Sequence, residues 1–150
     1  MSNRSEHPLL FLSAAEKTRV VAAICAAELR TSGEIRVHLA GKVKKDILEQ
    51  AVETFEKLGM TKTAARNGVL IFIRTEDSRF AVLGDRDIHQ KVPENFWNSI
   101  AQTMSAYLQK NQFAEGLIAG ITKIGEVLEK EFPHQRDDIN ELPDEISYSL

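Results

Sequence analysis

Three short polar segments of this 150-residue chain carry oxygen donors of the hard type. They are Thr31-Ser32-Gly33-Glu34, Asn67-Gly68 and Gly84-Asp85-Arg86-Asp87. Carboxylates of Glu34, Asp85 and Asp87, with the hydroxyls of Thr31 and Ser32 and the amide of Asn67, make a set that calcium or magnesium would take. The same residues have a plainer reading, in which Asn67-Gly68 and Gly84-Asp85 are turns and Glu34 is a solvated strand start. Spacing leaves both readings open. Other chemistries lack their patterns. His38, His89 and His134 are far apart and form no paired zinc motif, and His7 lies near the start. Asp85-x-Asp87 begins like a calcium loop, but the sixth place is Gln90 and the twelfth Phe96, where glycine and glutamate are required. No nucleophile elbow, phosphate loop or dinucleotide fingerprint is present, and Ser13, Ser32 and Ser99 sit in no nucleophile motif. The single cysteine, Cys25, excludes an intrachain disulfide and reads as a buried small residue in an alanine-rich helix.

Whether the three segments meet depends on the elements between them. Val69-Leu70-Ile71-Phe72-Ile73 is a continuous apolar run, as expected of a central strand covered on both faces. The polar turn Thr75-Glu76-Asp77-Ser78 returns the chain as an antiparallel strand, Arg79 to Gly84, at a sheet edge. Upstream, Ile35, Val37 and Leu39 alternate with Glu34, Arg36 and His38, the pattern of a half-covered strand. The helical stripe Ile47, Leu48, Ala51, Val52, Phe55, Leu58 lies between these strands, and Gly59 follows it as a stop. Strand, helix, strand at this length forms a right-handed parallel crossover. Both parallel strands then begin, and the hairpin strand ends, at one edge of the sheet. The spacing predicts further helices over 14–29, opened by the capping box Ser13/Glu16 with Leu12 as a staple, and over 93–110 and 114–132. Residues 88–92 read as a connector. Trp97 and Phe96 read as core, and Gly116, Gly120 and Gly125 require a close neighbour to be tolerated in a helix. The expected fold is α/β, a three-layer α/β/α sandwich with a small mixed sheet (a βαβ unit plus an antiparallel hairpin) and four main helices.

Composition bounds the function. The length suits one domain with a real core. Residues 1–12 read as a lead, 13–132 as the domain and 133–150 as an acidic tail. The tail is expected to be partly ordered, or to lie along the body as a strap with Leu142 and Ile146 as contacts. Net charge is −3; residues 129–150, with seven acids and two bases, hold −5 of it, and the remainder is about +2. That balance offers a phosphate backbone no attraction, so nucleic acid is not an expected partner. No apolar run approaches a membrane span, and Leu9–Leu12 is too short for a signal peptide core. A cytoplasmic monomer is the resulting expectation, with a protein partner left unnamed.

At the segments singled out first, the chain resembles the TPM domain family. Thr31-Ser32-Gly33-Glu34 opens one strand, Asn67-Gly68-Val69-Leu70 opens the next, and Arg79-Phe80-Ala81-Val82-Leu83-Gly84 returns to a loop. Phe113-Ala114-Glu115-Gly116-Leu117, with Gly120-Ile121, is similar to the family's last helix, and the likeness spans roughly residues 12–130. The ending from Asp138 to Glu145 resembles a short, stand-alone branch. The resemblance implies an α/β/α sandwich whose polar cleft includes Glu34, Asn67 and Asp85. It also brings activities: some bacterial relatives bind calcium or other divalent ions, and plant relatives, tied to photosystem II repair, have been assigned an acid phosphatase activity. Three functions follow. One is a non-enzymatic divalent-cation binding or interaction module. The second is a weak metal-assisted phosphatase, for which no nucleophile or general acid is identifiable. The third is a protein-interaction module without metal. For a cation, calcium is expected over magnesium, because loop ligands from three strand ends do not impose octahedral geometry. Two carboxylates there without a paired base are expected to repel until a cation or proton neutralises them.

Overall fold

The structure is a computed structural model that describes residues 4–63, 65–134 and 145–150. Its elements in chain order are α1 (Ala14–Glu28), β1 (Glu34–Ala40), α2 (Ile47–Lys57), a 3-10 turn (Met60–Lys62), β2 (Gly68–Arg74), β3 (Arg79–Gly84), α3 (Arg86–Lys91), α4 (Phe96–Leu108), α5 (Phe113–Glu131) and β4 (Ser147–Ser149). The sheet runs β3-β2-β1-β4. β1 and β2 are parallel, with Glu34 beside Gly68 and Ala40 beside Arg74. β3 is antiparallel to β2, with Val69 opposite Gly84.

Local chemistry sets the helix ends. The Ser13 hydroxyl accepts from the Glu16 amide at 3.1 Å, and the Glu16 carboxylate accepts from the Ser13 amide at 2.9 Å, so the predicted capping box opens α1. Gly59 follows α2 at φ 74°, a left-handed conformation that glycine adopts without a Cβ penalty. Phe96, not Pro93, begins α4, and its amide reaches back to the Pro93 carbonyl in the preceding turn. The expected connector at 88–92 is largely helical: Asp85 caps α3, and Ile88 is the apolar anchor that draws this turn into the core.

The predicted sandwich is present. Alternate residues of β1 and β2 (Ile35, Val37, Leu39, Val69, Ile71, Ile73) bury into one core with α1, α3, α4 and α5. Leu70, Phe72 and Ala40 face the other way, into a smaller core with Ile47, Ala51 and Phe55 of α2 and Met60 of the 3-10 turn. β2 is buried along its whole length, as its apolar run requires. β1 is not half-covered: Glu34 and His38, on its polar face, are only 2% and 3% exposed. Two of the apolar positions read onto the α2 stripe, Leu48 and Val52, are instead exposed. The glycines of α5 do have close neighbours: a Cβ on Gly116 would meet Leu108 Cδ1 at 2.5 Å, and one on Gly120 would meet Met104 Sδ at 2.8 Å. Cys25 is half-buried rather than fully buried.

Both ends of the chain join the fold. Phe11 and Leu12 enter the larger core, and Arg4 holds Glu16 through two bonds of 2.8 and 3.0 Å. At the other end, residues 147–149, read as tail, form a fourth strand parallel to β1, and Ile146 is a buried contact. Leu142, the other expected contact, lies outside the described residues. No helix among the described residues is long and apolar enough to cross a membrane.

Candidate functional site

The β1–β2 register puts the start of β1 beside the start of β2, and the hairpin returns the end of β3 to the same place. Backbone bonds then stitch the loops together: the Asp85 amide donates to the Gly68 carbonyl at 2.8 Å, and the Asp87 amide donates to Arg66 at 3.0 Å. Glu34, Asn67 and Asp85 are therefore gathered at one sheet end, and all three are buried, at 2%, 1% and 5% exposure. The side-chain nitrogen Nδ2 of Asn67 has no hydrogen-bond partner among the described residues. Trp97 covers this end of β3. A Cβ at Gly84 would lie 2.5 Å from its ring, so the close approach requires glycine. The Trp97 indole N–H donates to His89 Nδ1 at 3.1 Å, and the ring packs against the larger core.

The principal residue missed from the sequence is Arg66. Its guanidinium makes two bonds of 2.7 Å to the two carboxylate oxygens of Asp85, a bidentate pair. Asp85 Oδ1 also accepts the Arg86 amide at 2.7 Å as the cap of α3. The expectation of two carboxylates without a paired base therefore does not hold. Burial pushes the Asp85 carboxyl up, but the Arg66 hydrogen bonds, the Arg86 amide and the charges of both arginines outweigh it and hold the group below the ordinary aspartate value. Arg66 sits in a polar stretch at φ 51°, and only its adjacency to Asn67 hinted at the role.

The remaining candidates point elsewhere. The Thr31 hydroxyl bonds the carbonyls of Leu128, at 2.9 Å, and Phe132, and accepts the Gly33 amide at 3.0 Å. The Ser32 amide and hydroxyl also reach Phe132. Together they tie the end of α5 to the start of β1. Asp87 pairs with Arg86 at 3.0 Å on a more exposed rim. Among the described residues no group of three or more His, Cys, Asp or Glu side chains could hold a metal ion. Among the described residues, this sheet end holds the buried carboxylates of Glu34 and Asp85, the buried Asn67 amide and the Arg66 guanidinium that counters Asp85. A cavity of about 230 Å³ adjoins it, lined by Val52, Phe55, Glu56, Thr61, Leu83 and Asp85.

This arrangement can be set against known proteins. A search of curated proteins returned no match. The chain is similar to the BA42 protein of the psychrophilic bacterium Bizionia argentinensis, solved by NMR: 41% identity, TM-score 0.86, covering 92% of this chain and 95% of that one. Two more distant NMR structures share the fold alone. One is the N-terminal domain of a P. gingivalis protein, with 19% identity, TM-score 0.66 and coverage of 83% and 82%. The other is the N-terminal domain of cg2496 from Corynebacterium glutamicum, with 15% identity, TM-score 0.58 and coverage of 93% and 80%. The family model of the TPM domain matches residues 9–127, and this chain belongs to the TPM domain family.

Proposed function

We propose that the polar sheet end is a divalent-cation site of a non-enzymatic binding module, with calcium favoured over magnesium. The observation that carries the reading is the strand register, which gathers two buried carboxylates and a buried amide from three separate segments. Glu34, Asn67 and Asp85 are the ligands in this reading. Thr31 and Ser32 serve as anchors, because their hydroxyls are engaged by carbonyls of α5. Arg66 stands as the counter-charge that a cation would displace from Asp85. Its side chain is 30% exposed, which leaves it room to swing toward solvent. Displacement opposes binding, so affinity is expected to be modest, on the order of 10⁻⁵ to 10⁻³ M. No turnover is part of the reading.

The test is a calcium titration followed by backbone amide NMR on the wild type, Asp85→Asn and Arg66→Gln. Wild-type amides near 34, 66–68 and 84–87 are expected to shift and saturate. Asp85→Asn should abolish this, and Arg66→Gln should tighten binding several-fold by removing the competitor. Calcium that leaves those amides unmoved, or binds Asp85→Asn as well as the wild type, would overturn the site.

A further inference from the structure

The sheet has an open edge at β3. The Asp85 amide donates to the Gly68 carbonyl, and Val69 lies opposite Gly84, so the bonded pairs of the hairpin are Leu70–Leu83, Phe72–Ala81 and Arg74–Arg79. The amides and carbonyls of Phe80 and Val82 therefore point out of the sheet. Among the described residues, no loop or helix backbone bonds them. Sheet edges are commonly shielded by Pro, Lys or a bulge, and β3, Arg-Phe-Ala-Val-Leu-Gly, has none of these.

A cleft runs along this edge. On one face stands α2, whose Val52 lines the 230 Å³ cavity with Phe55 and Leu83. Leu48 lies one turn before Val52 on the same flank, and the two are 52% and 45% exposed. The apolar stripe of α2 is thus wider than this chain covers. On the other face α5 packs between α1 and α4, and α4 is the helix that reaches β3. Three helices side by side span about 16–20 Å between outer axes, against about 14 Å for four strands, so α4 overhangs the edge. A second copy's sheet joined here would drive α4 into its own counterpart, whereas a lone strand fits beneath it. Charge marks the two ends of the cleft. Asp85 is already held by Arg66, and Asp77 by Arg74. The exposed side chains of Glu56, on the cavity wall, and Arg79, at the start of β3, make no hydrogen bond or ion pair among the described residues. Arg79 alternates with Ala81 and Leu83, which pack toward α2, so it stands on the same face as Glu56.

We propose that β3 takes an extended peptide segment of a protein partner as a fifth, antiparallel strand. Main-chain bonds to Phe80 and Val82 hold the segment, and alternate side chains read the α2 flank. A base on the segment meets Glu56, two aliphatic residues cover Leu48 and Val52 and enter the cavity beside Leu83, and an acid meets Arg79. The surface does not depend on a bound cation.

The experiment is an NMR titration of the full chain with the capped peptide Lys-Thr-Val-Thr-Val-Thr-Glu. A chelator is present throughout, so that failure here is distinct from failure of the calcium reading. The peptide is expected to shift the amides of residues 48, 52, 56 and 79–84 saturably. Its charged ends place the central Thr opposite Val82, with its N–H toward β3. Methylating that nitrogen should weaken binding about tenfold, whereas methylating a valine nitrogen, which points away, should change it little. Val52→Asp and Glu56→Lys, both at exposed positions of α2, should each weaken binding about tenfold with the amide spectrum still dispersed. Sedimentation of the chain alone should show a monomer. No saturable shift in those amides, equal effects of the two methylations, or full binding by both variants overturns the proposal. So does a dimer that Val52→Asp dissociates, since a second copy would then occupy the edge.

Discussion

Phe72→Ala is expected to lower the unfolding free energy by about 3–5 kcal/mol, the range for a fully buried aromatic. Phe72 has no exposed surface and is the largest fully buried side chain of the smaller core. That core has one helix for a roof, so few neighbours are free to collapse into the space left behind. The ring also lies parallel to His38, with centroids 5.7 Å apart and planes 8° from parallel, so its loss removes support from the buried imidazole. Urea unfolding at neutral pH measures the effect. Phe80→Ala, at a half-buried position on the edge strand, is the comparison and should cost clearly less. Equal losses at the two positions would mean that the smaller core is not the packed layer described above.

Acidification from pH 6.5 to pH 4 is expected to remove about 3 kcal/mol of stability through His38 alone. Burial, and secondarily the charge of Arg36, lowers the His38 pKa from 6.5 to about 4. The neutral ring is favoured in the folded chain. Its nitrogens lie 2.7 Å from the Ser147 hydroxyl and 2.9 Å from that of Ser149, so one donates and the other accepts. Because the folded value is the lower one, the unfolded chain binds the extra proton first. The contribution is complete above pH 6.5, falls as pH drops toward 4, and changes no further below that. Charged groups near the ring are Arg36 on its own strand and Lys45, Glu53 and Lys57 around the adjoining groove, while Glu145 acts on Arg36. Lowered carboxyls such as Glu16, Asp77 and Asp85 lose their contributions below the ordinary carboxylate range, which separates the two windows. The check is the urea midpoint of the wild type and of His38→Gln across pH 4 to 7. The wild type should show the steeper fall, and the His38 ring should titrate near 4 by NMR. Titration near 6.5, or equal slopes in the two proteins, would refute the assignment. Since both serines belong to β4, protonation is also expected to loosen that strand first.

Periodicity was enough for the elements whose burial depends on their own residues. The apolar run Val69–Ile73 had to be a central strand, because no exposed strand tolerates five consecutive apolar side chains. Ser13 and Glu16 specify the start of α1 through bonds spanning three residues, and the length of the β1–α2–β2 unit forces a parallel crossover. From those local facts the meeting of Glu34, Asn67 and Asp85 at one sheet end follows. Tertiary structure alone decided what surrounds them. Arg66 reaches Asp85 across nineteen positions, and no sequence period links a loop guanidinium to a strand-end carboxylate. Thr31 bonds carbonyls about a hundred residues away, so the same hydroxyl that reads as a ligand closes a helix instead. His38 reads as an exposed strand position and is buried because β4, three residues with too little length for a pattern, adds itself beside β1. Alternation along a strand reports which residues share a face. Whether that face meets water depends on which distant segment packs on it, and that is set by long-range contacts.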